Sequence, residues 1–176
     1  MIDGDADDSA WTAGEFALTR PARTGLFVGP GGGQATPASE ARLLWGEGHL
    51  YVLLYAADED IRSRGDFFRV TFTTFAPITP HAGPPGTFAF DVAPRGPLPS
   101  GVHAAREIDG TVDDDSDRDE EWLLEMAVPL EPMGLQAARG QAFGFRVLRC
   151  DASANEAAAR CAGWGEGDDQ GGVVLE

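Results

Sequence analysis

The sequence predicts an all-β protein, an antiparallel β-sandwich of jelly-roll type, and three observations carry that prediction. Several segments alternate apolar and polar residues with a period of two, which puts one side of each segment against a core. Glycine (23 residues) and proline (12) are frequent enough to punctuate the chain with turns between those segments. Helical patterning is confined to short turns at Glu131–Leu135 and Ala157–Arg160. Many short strands with almost no helix indicate two packed antiparallel sheets.

Along the chain, Glu15–Thr19 and Ala41–Trp45 are short strand candidates. From His49 to Ala56 the pattern is stronger: Leu50, Val52 and Leu54 share one face, and Tyr51, Leu53 and Tyr55 share the other. Phe68, Val70 and Phe72 line one face of Phe67–Phe75, opposite Arg69, Thr71 and Thr73. Thr87–Val92 and Val102–Glu107 are shorter candidates. Trp122, Leu124, Met126 and Val128 alternate with Leu123, Glu125 and Ala127. Phe143, Phe145 and Val147 alternate with Gly144, Arg146 and Leu148, and Val173–Leu175 closes the series. No internal repeat or linker interrupts residues 1–176, so one domain is expected. The stretch Gly29-Pro30-Gly31-Gly32-Gly33 reads as a loop; no Gly-Lys-Ser/Thr follows it, as a phosphate-binding loop requires.

The formal charge is -16, from 29 acidic residues against 13 basic ones, all arginine. Such a chain is repelled by phosphate backbones and anionic lipid faces, so no nucleic-acid partner is expected. No segment approaches the roughly 18 consecutive apolar residues of a membrane helix, and no membrane insertion is expected. Met1-Ile2-Asp3-Gly4-Asp5 has neither the basic nor the apolar region of a signal peptide. This suits a cytosolic protein or a domain of a longer exported one. Cys150 and Cys161 bracket a short polar segment. A disulfide closing it would contribute roughly 2–3 kcal/mol; two free thiols in a reducing compartment are the alternative.

The order of particular residues adds a family. Ile2-Asp3-Gly4-Asp5-Ala6-Asp7-Asp8-Ser9-Ala10-Trp11 resembles the "IDG-x-x-D-x-x-W" opening of family 9 carbohydrate-binding modules, part of a wider DOMON-like sandwich superfamily. Ala41–Trp45 followed by Leu50-Tyr51-Val52 and Asp58 is similar to that family's paired strands, and Asp66 to its Asp-initiated strand. Glu121–Pro129 resembles "GW-x-x-E-x-A-I-P", and Phe143–Asp151 with Trp164 resembles the closing strands. The resemblance implies a calcium-stabilised, non-catalytic, sugar-binding sandwich from an extracellular, periplasmic or cell-surface protein. Two tryptophans clamp sugar in the binding members of that family. Here the corresponding stretches are Ile61-Arg62-Ser63-Arg64-Gly65 and Glu166-Gly167-Asp168-Asp169-Gln170, without an aromatic residue. A structural or protein-interaction module that has lost its sugar site is therefore the alternative.

Candidate chemistry follows. Asp113-Asp114-Asp115-Ser116-Asp117-Arg118-Asp119 places carboxylates at every second position. Asp113, Asp115, Asp117 and Asp119 can converge on calcium if the loop curls, because calcium takes six to eight oxygen ligands. Asp58, Asp60 and Asp66, or Asp3, Asp5 and Asp7, are further candidate sets, and a solvated acidic loop is the plain alternative. For sugar, Tyr51 and Tyr55 offer ring faces for stacking, and Arg69 and Arg146 offer polar contacts, provided the two strand faces coincide. Otherwise the tyrosines pack with their hydroxyls at the rim, and Trp11, Trp45 and Trp122 are core. His49, His81 and His103 lack metal-ligand spacing and no nucleophile motif is present, so no enzymatic activity is expected. The superfamily that the chain resembles also contains haem-binding sandwiches with Met and His axial ligands, which would point to Met126 and His103, but the alternation of Met126 with Trp122 and Leu124 places it in the core.

Overall fold

The computed structural model describes residues 2–12, 23–28, 33–75, 86–152, 160–164 and 171–175. Among these residues ten strands follow one another: β1 Arg23–Leu26, β2 Ser39–Gly46, β3 His49–Ala57, β4 Phe67–Thr74, β5 Gly86–Val92, β6 His103–Asp109, β7 Glu121–Pro129, β8 Ala142–Asp151, β9 Arg160–Gly163 and β10 Gly171–Val174. The first sheet has the order β1-β2-β3-β7-β6 and the second β10-β8-β4-β5, every pairing antiparallel. Two short strands share one edge of β8: β10 pairs with Ala142–Phe145 and β9 with Leu148–Asp151.

The alternation dictates what lies between the sheets. Leu50, Val52 and Leu54 of β3 and Trp122, Leu124 and Met126 of β7 face Phe68, Val70 and Phe72 of β4 and Phe143, Phe145 and Val147 of β8, all of them buried. The rings pack on one another: Phe68 lies 4.8 Å from Trp122, and Phe72 contacts Phe143, Phe145 and Phe90 at 5.1–6.5 Å. Met126 is part of this core, as its alternation requires. The β2–β3 hairpin turns on Glu47 and Gly48, with φ of 48° and 84°. Two left-handed residues in a two-residue connection match the right-handed twist of the flanking strands.

The chief strands lie where the alternation puts them, and the short candidates Ala41–Trp45, Thr87–Val92 and Val102–Glu107 correspond to β2, β5 and β6. β1 and β9 are too brief to show a period. Among the described residues, helix is limited to one α-turn, α1 Ser9–Thr12, and one 3-10 turn, Glu131–Met133, ended by Gly134 at φ 70°. Of the expected helical turn Ala157–Arg160, only Arg160 is described, and it opens β9. The candidate strand Glu15–Thr19 and residues Gly29–Gly32 lie outside the described residues, as do Ile78–Pro85.

Candidate functional site

β3 ends, β4 begins, β7 begins and β8 ends at the same end of the sandwich, and the connecting loops meet there. Arg149 organises this end. It is in step with Phe145 and Val147, so β8 points its guanidinium inward, where it is 2% exposed. Nη2 donates to Asp58 Oδ2 (2.9 Å) and Asp151 Oδ1 (3.0 Å), and Nη1 to Ser39 Oγ (3.3 Å). A buried guanidinium persists only with such partners. Asp66, fully buried, accepts the backbone N–H groups of Arg62 and Ala152, each at 2.5 Å. Burial is the main reason its carboxyl is pushed up to about 7; Asp58 and Asp151 add to the rise, and the two N–H donors oppose it. Carboxylate oxygens of Asp58, Asp66 and Asp151 lie within 4.8 Å of one another. Gly65 makes the approach possible: at φ 111°, a Cβ there would meet the Ala152 Cβ at 2.3 Å.

The acidic run has a different arrangement from the one its spacing suggests. Asp119 is buried, with Oδ2 accepting from Ile61 N–H and Oδ1 from Thr111 N–H, both at 2.6 Å. Asp113 Oδ1 accepts from Ser63 N–H at 2.8 Å, and the Ser63 hydroxyl and N–H together hold its carboxyl below the usual range. Asp115 pairs with Arg62, and Arg118 with Glu59. Asp117 is exposed. The four carboxylates of Asp113, Asp115, Asp117 and Asp119 are thus spread along a clasp that grips the 58–64 loop, and they do not meet at one point. Among the described residues, the acidic group that converges is Asp58, Asp66 and Asp151. Of these the sequence reading placed Asp58 and Asp66 in a candidate set, with Asp60 instead of Asp151. Arg149 and Asp151 were missed. The available signal was phase: an arginine in step with Phe145 and Val147 must enter the interior and needs acids beside it.

The four sugar-contact candidates divide between two surfaces. Tyr51 and Tyr55 project from the outer face of the first sheet, while Arg69 and Arg146 project from the outer face of the second, since Phe68, Val70, Phe145 and Val147 fill the inside. The two strand faces do not coincide, and the combined patch expected from them does not form. On the first sheet, residues 2–12 lie across the outer surface as a strap. Glu125, 2% exposed, accepts from Asp3 N–H (2.9 Å), Gly4 N–H (3.3 Å) and Trp11 Nε1–H (2.9 Å). Trp11 packs on Leu53 and Leu123, with Tyr51 and Tyr55 against the margin of that cluster. Trp11 is therefore in a satellite cluster outside the sheet, whereas Trp122 is in the main core and Trp45 packs against it. Burial and the hydrogen bond to Glu121 push the Tyr55 phenol up to about 12, so it remains a donor at any physiological pH.

On the second sheet, Arg69 forms a two-bond ion pair with Asp91 (2.7 and 2.8 Å), and its guanidinium lies 5.6 Å from the Phe67 ring centre. Thr71 is the register partner of Arg146 and of Ala89, and Thr73 of Thr87. Arg69 and Arg146 are diagonal neighbours on adjacent strands, a relation that separates Cα atoms by about 7–8 Å. Thr71 and Leu148 complete the quartet with the two arginines on the outer face of the second sheet.

No family model and no curated protein matches the sequence. Solved structures do match the fold. A family 9 carbohydrate-binding module from Caldicellulosiruptor kristjanssonii in complex with glucose aligns over 100% of this chain and 91% of its own, with a TM-score of 0.59 at 15% identity. A module of the same family and organism in complex with cellotriose aligns over 93% and 78%, with a TM-score of 0.53 at 15% identity. A protein from Bacteroides uniformis described as carbohydrate-binding aligns over 88% and 87%, with a TM-score of 0.54 at 12% identity. The chain has the β-sandwich fold of family 9 carbohydrate-binding modules.

Proposed function

We propose that this protein is a non-catalytic carbohydrate-binding module whose loop end is braced by calcium. The observation that carries the reading is the likeness of the whole chain to sandwiches solved with glucose and cellotriose. The second sheet supplies the surface that suits a sugar. Arg69, oriented by Asp91, and Arg146 can each donate to adjacent hydroxyls, and Thr71, beside both, is short enough for a ring to settle there. Tyr51 and Tyr55 act instead with the strap. Titration calorimetry with glucose and cellotriose tests this, wild type against Arg146→Ala and Tyr51→Ala. Loss of binding in Arg146→Ala alone supports the second-sheet surface. Loss in Tyr51→Ala alone would move the site to the first sheet.

For calcium, the donor chemistry fits. Carboxylate oxygens of Asp58, Asp66 and Asp151 converge, two of the three acids paired with the buried Arg149 guanidinium, and hard divalent cations favour oxygen donors. These residues would hold the ion and so fix the 58–66 loop against the end of β8. An unchanged melting temperature on adding chelator, then calcium, to metal-free protein would sink this part of the reading. An exported or cell-surface setting accords with a Cys150–Cys161 disulfide, since such bonds persist in oxidising compartments. A protein-interaction module is the second reading, favoured by the exposed rings of Phe75 (55%) and Phe88 (39%). It gains if no sugar binds and Phe75→Ser abolishes capture of a partner.

A further inference from the structure

We propose that the Cys150–Cys161 disulfide is a local redox latch, holding β9 as the seam between the two sheets, and that reducing it frees this seam while the rest of the sandwich stays folded. The two cysteines are register partners on neighbouring antiparallel strands. The bond therefore joins residues that sheet pairing already opposes, and it ties no distant element of the core. What it secures is β9, a strand of four residues.

Besides the disulfide, β9 is held by strand pairing, by one bridge and by Ala162, which packs against the main core. On one side it pairs with Leu148–Asp151. On the other, an isolated bridge joins Gly163 to Val28: Val28 N–H donates to Gly163 O (2.8 Å), and Gly163 N–H to Val28 O (3.1 Å). Phe27, next in the chain, donates to Ser39 O and accepts from Ala35 N–H, so this bridge leads to the start of β2 in the other sheet. Trp164, just beyond β9, donates its N–H to Val147 O and sets its ring edge-on to Phe145 at 5.6 Å. Cys150 also stands between Arg149 and Asp151, both in the ion cluster, while Cys161 is partly exposed. The latch thus adjoins the seam, an aromatic contact and the charged loop end together.

The chemistry balances as thiol–disulfide exchange with a dithiol. One thiolate of the dithiol attacks the Cys161 sulfur, and the S–S bond breaks with its electron pair going to Cys150, which takes up a proton. The second thiol of the reagent, deprotonated, then attacks its own sulfur in the mixed disulfide and releases Cys161 as a thiolate that is protonated in turn. The protein gains two electrons and two protons, and the dithiol leaves as a cyclic disulfide.

The test uses the full chain in native buffer with dithiothreitol, thiol counting and amide hydrogen exchange read at peptide level. The expected result is two thiols released without global unfolding. Exchange should speed at least tenfold in peptides covering Val28 and Gly163–Trp164, with less than twofold change in peptides from β3 and β7. A Cys150→Ala/Cys161→Ala variant should show the same pattern without reductant. Three results overturn the proposal: thiols unreachable in the folded protein, unchanged protection at the seam after reduction, or loss of protection in β3 and β7 together with the seam.

Discussion

Asp66 sits where a carboxylate is least comfortable, buried beside two other acids, and its satisfaction by two backbone N–H groups does not fully offset the burial. Its pKa rises from 3.8 when unshifted to about 7 in the fold, so the folded state holds the proton more tightly than the unfolded chain. Linkage then fixes the sign: the proton-linked stabilisation is complete below about pH 4, declines as pH rises through that window, and is gone above about pH 7. In the presence of chelator, this residue should therefore lower the melting temperature between pH 4 and 7, and Asp66→Asn should flatten that part of the profile. A variant with the wild-type slope would show that another group carries the titration. Asp119 is the structural counterpart. Replacing it with alanine strands the buried N–H of Ile61, at about 1–3 kcal/mol, and leaves the N–H of Thr111, at the surface, to water. Urea unfolding measures the loss, and a change below about 0.5 kcal/mol, half the lower bound of that range, would show that water replaces the carboxylate.

Among the elements, the strap of residues 2–12 is held by one buried acid and one indole. It is also opposed: Asp5 and Asp7 lie close enough to Glu107 to raise its pKa, after a larger effect of desolvation. Trp11→Ala removes the hydrophobic half of the attachment and should cost about 3–5 kcal/mol if the site cannot collapse. Cleavage by a protease should then concentrate within residues 2–12, where the wild type resists. Equal resistance in both proteins would mean that the Glu125 hydrogen bonds suffice. This element also shows what was legible in the sequence. The strands β3, β4, β7 and β8 were, because each has a full two-residue period and one face in the core. The resemblance of residues 2–11 was visible too, but not that Trp11 packs outside the sheet, since period says nothing about segments that cross strands. The acidic run misled for a related reason. Spacing shows which carboxylates can converge, whereas the pairing of Asp113 and Asp119 with backbone from residues 61 and 63 depends on contacts about fifty positions away.

For the whole molecule, the fold rests on aromatic packing between sheets, and function rests on what the two outer faces and the loop end present. Trp122→Ala should cost about 3–5 kcal/mol and lower the melting temperature of the entire sandwich, because the fully buried indole on the first sheet packs on Phe68 of the second. A local effect confined to one sheet would contradict a common core. Sugar recognition should be insensitive to the strap and sensitive to the second sheet, since the strap and the Arg69–Arg146 surface lie on opposite sides. The measurement that tests this most directly is calorimetric titration of cellotriose into wild type, Arg69→Ala/Arg146→Ala and Trp11→Ala proteins, each shown to be folded. The account predicts saturable binding by wild type and Trp11→Ala, with at least tenfold loss in the double arginine variant. No binding by the wild type, to cellotriose or to a wider glycan panel, would contradict it.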